Sequence, residues 1–440
     1  MSTNLNMPTH LSTGSSTALM ENNTIKKLDN GSAYYYTACL GAPRLAVSFL
    51  VPSGYLLDPI LGTHELFSRL LLKGTQTRTQ EQLSLEIDSL TLDIDTTAKR
   101  DYIGFHTTFL EEDLDAVFAL VSDMFFQSTF IDLPKEIQKL TGEILMELDS
   151  PKASASDLFL KTVWQDTSYS GSSSQLAAAI AGISHQHMTD LHQSEFHPGN
   201  LTIVATGASE SAKIEAAVQK YFPASQATEN NSALLDQKAA GPVQKLNQLQ
   251  IVSNQLVSVP KDDSSQAHIF KGWLMPSATD ADYPAIALMN TILGAAGLTS
   301  RLFLELRDKQ GLAYHVRSTY EGYKHKGIFY LYIGTEPANK QKCLDGFQVE
   351  VDKIINTLVP ADELADAKRN WLGRRSISLE TAPQLTSYLS ASLMIGRSVD
   401  FINTLEDRIN AVTPDDIQRV AQHWLTRPAV ISVAAPSSVL

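Results

Sequence analysis

The sequence predicts an α+β fold of two tandem homologous domains, each a mainly antiparallel sheet packed with helices, the pair arranged as a clamp. Three observations lead there. The chain has 440 residues, more than one core fills, since single cores stop growing near ~250–300 residues. Its composition, 43% hydrophobic and 19% charged, is that of a globular protein able to bury a sizeable interior. The segments on either side of a stretch without hydrophobic periodicity, 223–245, repeat one another in order.

The elements follow along the chain. Residues 1–27 begin polar and rich in Ser, Thr and Asn and read as a loose arm. Tyr34-Tyr35-Tyr36 reads as the start of an edge strand. Each half then opens with a mainly apolar strand and a Pro-Ser turn, Ala46–Ser53 and His268–Ser277. A helix ends near Lys73-Gly74 in the first half and near Leu293-Gly294 in the second; a shorter helix and a β-hairpin follow, Leu90–Leu110 and Ala313–Gly334. Leu114, Val117, Phe118, Val121, Met124 and Phe125 recur at i, i+3, i+4, i+7 spacing, the stripe of a core-facing helix. Both halves close alike: Ser184 and Thr413 are candidate N-caps, Pro414 suits a first helical position, and the strands Leu201–Val204 and Val430–Val433 come last. The domains are thus 28–222 and 251–440, with a linker over 223–250.

Several function classes are excluded. The net charge of −13 argues against a general phosphate-backbone binder. Two cysteines, Cys39 and Cys343, build neither a disulfide framework nor a thiolate metal site. No apolar run reaches the ~18–20 residues of a membrane helix. The first residues lack a basic n-region and an apolar h-region, so a soluble protein is expected, cytoplasmic by default and periplasmic if a signal has been removed. No phosphate loop or nucleophile elbow is present. His185, His187, His192 and His197 cluster, but their spacing misses the i, i+4 face a helical metal site needs, and they read as polar helix-face residues. Trp371 and Trp424 read as core or interface anchors.

Three segments carry more. Gly62–Thr75 (GTHELFSRLLLKGT) ends in Lys-Gly-Thr; Glu136–Pro151 (EIQKLTGEILMELDSP) holds two glutamates seven apart; Thr299–Tyr314 (TSRLFLELRDKQGLAY) is the most specific. Together they resemble the M16 family of zinc metallopeptidases, the pitrilysin and mitochondrial-processing-peptidase group, and the likeness runs from about residue 28 to 438. The resemblance implies a zinc signature, H-x-x-E-H, on the first helix, with a glutamate on a later helix as third ligand. Two histidines four apart share one helix face and one metal, and the glutamate between them activates water. Here the three signature positions fall on Glu65, Ser68 and Arg69, the third-ligand position on Glu143 and its acidic companion on Glu136. A register starting at His64 still lacks a second histidine. No metal or cofactor is therefore expected on this chain, and an Arg69–Glu143 ion pair is expected to fill the vacated site. The alternative makes Glu136 and Glu143 a solvated stripe beside Ile137, Leu140, Ile144 and Leu148.

The second half departs less from the family. Its Arg and Tyr seven apart, which in active members reach the substrate, match Arg307 and Tyr314. Arg307 falls in the last turn of a helix that Gly311 can end, and Tyr314 begins the next strand. The resemblance implies that they bind the peptide carbonyl and steady the oxyanion of the tetrahedral intermediate. The competing reading pairs Arg307 with Glu305 or Asp308 and buries Tyr314. The short turn Gly294-Ala295-Ala296-Gly297 does not match the glycine-rich loop of the mitochondrial α-subunit. The expectation is thus the Arg/Tyr-bearing, non-catalytic subunit of a heterodimeric peptidase. Its partner would be a homologous chain with H-x-x-E-H and zinc, and its substrates unfolded peptides. The rivals are a scaffolding subunit without proteolytic role and a self-sufficient peptidase using His64.

Overall fold

The computed structural model describes residues 25–39, 44–165, 167–224 and 231–440. Most of the polar arm lies outside these; Lys26–Lys27, counted with it, forms strand β1. The first half continues with β2 (Ala33–Ala38), β3 (Arg44–Val51), α1 (Thr63–Leu70), α2 (Gln80–Ser89), β4 (Asp93–Ala98), β5 (Ile103–Leu110) and α3 (Leu114–Gln127). It ends with α4 (Leu133–Asp149), α5 (Pro151–Trp164), α6 (Ser173–Ala179), α7 (His185–Glu195), β6 (Thr202–Gly207) and α8 (Ser211–Tyr221). Its sheet runs β1-β2-β6-β3-β5-β4, antiparallel except where β2 and β6 pair in parallel. Because β1 covers only the first residues of β2, the Tyr34–Tyr36 strand is an edge along part of its length and not at its start.

Helix α9 (Asn231–Gln248) connects the halves. Most of the segment expected as a linker, 223–250, is thus helical. The segment carries Gly241 and Pro242 and no long apolar stripe, so its own propensity is poor. Tertiary contacts supply what the local sequence lacks. Leu235 and Leu246 are buried, Lys238 reaches Ser194 of α7, and Lys326 donates to the carbonyls of Leu246 and Leu249 at the helix end.

The second half holds β7 (Gln255–Pro260), β8 (Ala267–Met275), α10 (Tyr283–Asn290), β9 (Ala313–Gly322) and β10 (Gly327–Thr335). It is completed by α11 (Lys340–Asn356), α12 (Ala361–Ser378), α13 (Ala382–Met394), α14 (Val399–Ala411), α15 (Pro414–Trp424) and β11 (Val430–Ala435). Its sheet, β7-β11-β8-β10-β9, repeats the order of the first once β1 is set aside, down to the single parallel pair. Ser184 and Thr413 both cap their helices with reciprocal side-chain and backbone bonds. No helix among the described residues is long and apolar enough to cross a membrane.

The halves exchange helices. Helix α5 of the first half packs Ala155, Phe159, Val163 and Trp164 against Phe270, Leu274, Tyr330 and Val430 of the second sheet. Helix α13 of the second half packs Leu385 and Leu389 against Tyr35, Leu50 and Val204 of the first. Polar bonds fix the register, from Ser432 to the Ala155 carbonyl at 2.8 Å and from Thr206 to the Ala382 carbonyl at 2.8 Å.

Candidate functional site

Helix α1 begins where the chain turns at Gly62. Asp58 accepts hydrogen bonds from the backbone N–H groups of Gly62 (2.7 Å) and His64 (2.8 Å), satisfying donors that a helix start leaves open. The turn of α1 that would carry a zinc signature instead carries an ion-pair network. Arg69 Nε lies 2.8 Å from Glu65 Oε1 and Arg69 Nη1 lies 2.8 Å from Glu143 Oε2 on α4. Tyr55 donates to the other Glu65 oxygen at 2.7 Å, and Ser68 turns back to the Glu65 carbonyl. Arg69 thus occupies the space between the two carboxylates that a cation would need. Glu136, read alternatively as solvated, is buried and faces Lys73 at 3.2 Å. The donor set does not suit zinc: a guanidinium stands at one ligand position and a hydroxyl where the water-activating carboxylate belongs. Among the described residues no three His, Cys, Asp or Glu groups converge as metal ligands would.

These ion pairs are half-exposed, so solvent screens them. Replacing Arg69 with Ala is expected to lower stability by only about 0.5–1 kcal/mol, read from urea unfolding. A loss several times larger would mean that the network is an organising feature of the domain.

His64 takes no part in this network. It is fully buried beneath it, with Nδ1 2.6 Å from Asp58 Oδ1 and Nε2 shared between Glu195 Oε2 at 3.0 Å and Ser53 Oγ at 2.8 Å. Burial pushes the imidazole down, but the two carboxylates override it and raise its pKa to about 9. Burial drives Glu195 up, but the charge and hydrogen bond of His64, the Ser53 hydroxyl and Lys238 together outweigh it and hold its pKa below the ordinary carboxylate value. The side chain is therefore an imidazolium held between two anions, out of reach of solvent and substrate, which removes the reading of a peptidase built on His64.

The four clustered histidines also separate. His185 contacts the Thr129 carbonyl, His187 Nδ1 accepts from the backbone N–H of the N-cap Ser184, His192 donates to the Phe125 carbonyl, and His197 is buried at the start of the turn after α7. Trp371 and Trp424 lie partly buried against the core of the second half.

In the second half, residues 303–309 form a π-helix that carries Arg307. Gly311, at φ +63°, adopts a backbone that disfavours other residues and turns the chain into β9. Strand β9 pairs His315 with Gly334 and Ala313 with Thr335, so Tyr314 is the extra residue of a bulge. A bulge re-aims its side chain, and Tyr314 stands 86% exposed. The Arg307 guanidinium lies over the Phe303 ring at 4.7 Å, while Glu305 is engaged by Lys309 at 2.7 Å. No described carboxylate pairs with Arg307, and Tyr314 is not core, so neither part of the competing reading holds. Both groups face solvent at one end of β9, which is the terminal strand of its sheet.

Comparison with known proteins places this arrangement in a family. Residues 42–175 match the profile described as insulinase (peptidase family M16), and residues 182–370 match the peptidase M16 inactive domain. An uncharacterized zinc protease of Streptomyces coelicolor is 26% identical over 376 residues, covering 85% of this chain and 80% of that protein. One from Bacillus subtilis is 23% identical over 385 residues, covering 86% and 89%. The crystal structure of an M16 inactive domain from Pseudomonas fluorescens shares the fold with a TM-score of 0.81 at 19% identity, covering 94% of this chain and 98% of that one. A protease from Helicobacter pylori does so with a TM-score of 0.81 at 16% identity, covering 94% and 99%. With both halves matched and the clamp architecture shared, the chain is a member of peptidase family M16.

Proposed function

We propose that this chain is the non-catalytic, substrate-binding subunit of a heterodimeric M16 zinc peptidase. It supplies Arg307 and Tyr314 to an active site whose zinc and H-x-x-E-H motif lie on a homologous partner. The observation that carries this reading is a contrast within one molecule. The positions of the metal site are closed by Arg69, Glu65 and Glu143, whereas Arg307 and Tyr314 stand exposed and free of acidic partners. A bulge re-aims the side chain it carries, and here it leaves the Tyr314 phenol open to a ligand. The shared strand order of the two sheets supports descent of the halves from one duplicated domain.

The chemistry follows from the donors. A peptide adds along the free edge of β9 through main-chain hydrogen bonds. The guanidinium and the phenol then donate to the carbonyl oxygen as it takes on charge, an interaction stronger in the transition state than in the ground state. The test is to isolate the chain with its native partner and assay hydrolysis of unfolded peptides. Arg307→Ala and Tyr314→Phe should each slow turnover by about 10²–10³ while the complex still elutes as a heterodimer. Unchanged turnover in both variants would overturn the reading in favour of a scaffolding subunit.

A further inference from the structure

Beside Tyr314, on the face of the second sheet that meets α5, basic side chains collect around one buried tyrosine. Lys152 Nζ lies 5.0 Å from the Tyr332 ring centroid and the Arg317 guanidinium 6.0 Å from it. The His315 ring is 5.5 Å away, and His268 Nδ1 sits 3.0 Å from the Tyr332 hydroxyl. None of Lys152, Arg307 and Arg317 forms an ion pair with a described carboxylate, in a chain where acidic residues outnumber basic ones by 48 to 35. The Arg317 Nε is buried without a hydrogen-bond partner. A guanidinium nitrogen without a partner is free to take an acceptor. Lys152 adds a second anomaly. It occupies the first turn of α5, where the helix dipole disfavours a cation. Consistent with this, burial and then the charges of Arg317, Lys152 and Arg307 all push His315 below its ordinary pKa, with no anion acting against them.

We propose that Lys152, His315 and Arg317 form a subsite for a carboxylate of the bound peptide, making acidic or C-terminally free peptides the preferred substrates. This rests on the peptide-binding reading above. The placement suits it. His315 and Arg317 alternate on one face of β9, and a strand added to that edge points its facing side chains to the same side. A carboxylate there meets charge-assisted donors that bind about twice as strongly as neutral ones. The carboxylate can come from an Asp or Glu side chain or from the peptide C-terminus.

Four rhodamine-labelled peptides separate these cases. They share one extended sequence, carry a central Glu or Gln, and end in a free carboxylate or an amide. Their affinities for the full chain are measured by fluorescence anisotropy at about 0.15 M salt, where surface attraction is screened. Peptides with a carboxylate should bind about tenfold more tightly than the Gln amide. The preference should shrink toward unity in Lys152→Gln, an exposed position that does not threaten folding, and in Arg317→Gln. Preference for the Glu amide assigns the subsite to a side chain; preference for the Gln acid assigns it to the C-terminus. Equal affinities, or a preference for the Gln amide as the net negative charge alone would give, overturn the subsite. In that outcome slower peptide hydrolysis by the heterodimer carrying Tyr314→Phe still supports the peptide-binding reading. Absence of binding by all four peptides overturns the subsite and counts against that reading as well.

Discussion

Replacing His64 with Gln is expected to destabilise the first half by about 3–5 kcal/mol, the cost of leaving buried charges without their counter-ion. Asp58 and Glu195 both contact this one imidazolium, and both are buried. Lys238 of α9, 3.6 Å from Glu195, is the next positive charge, and it compensates only one of them. Glutamine keeps a donor but not the charge. The pH dependence gives the second readout. The folded imidazole holds its proton up to about pH 9, whereas an unfolded histidine releases it near 6.5. Its stabilisation is therefore complete below about pH 6.5, declines as the pH rises, and is gone above about 9. Urea unfolding between those limits should show wild-type stability falling with pH while the Gln variant stays flatter. Parallel slopes for the two proteins would refute the account of His64 as a buried cation.

Phe159→Ala should cost a similar amount, about 3–5 kcal/mol, and should change the character of unfolding as well as its midpoint. The ring belongs to the first half by sequence but lies stacked on Phe270, 5.9 Å between centroids, and against Tyr330 at 5.6 Å. Gly272 permits this approach, since a Cβ there would fall 2.6 Å from the Phe159 ring. Truncation leaves a cavity that the sheet beneath cannot close, and it weakens one of the two surfaces joining the halves. The variant should unfold in urea at lower concentration and in two resolvable steps. A single transition shifted by less than about 1 kcal/mol would mean that the halves are held together mainly elsewhere.

Much of the architecture was legible because it is written in local chemistry. The stripe from Leu114 to Phe125, the capped starts at Ser184 and Thr413, and the paired hairpins each combine a period with a terminator. Helix α9 was not legible, because Pro242 and a polar run speak against a helix while its stabilising partners, Ser194, Glu195 and Lys326, lie far away in sequence. At the candidate site the motif located Arg307 and Tyr314, but spacing gave no hint that a bulge exposes the tyrosine or that residues 303–309 wind as a π-helix. The burial of His64 between Asp58 and Glu195 depends on a partner 131 residues away. The basic cluster around Tyr332 depends on a lysine from the opposite half. Only a signal reporting distant proximity would have found either.

The exchanged helices also restrict how such a molecule can move. A hinge that swung one half away from the other would have to draw Phe159 and Trp164 off one sheet and Leu385 and Leu389 off the other at the same time. Close-packed apolar surfaces yield to that kind of separation only at the full cost of rehydrating them. The chain is thus better suited to act as a rigid jaw than as a folding book, and under the proposed function admission of a peptide would fall to the seam between this chain and the partner that closes against it.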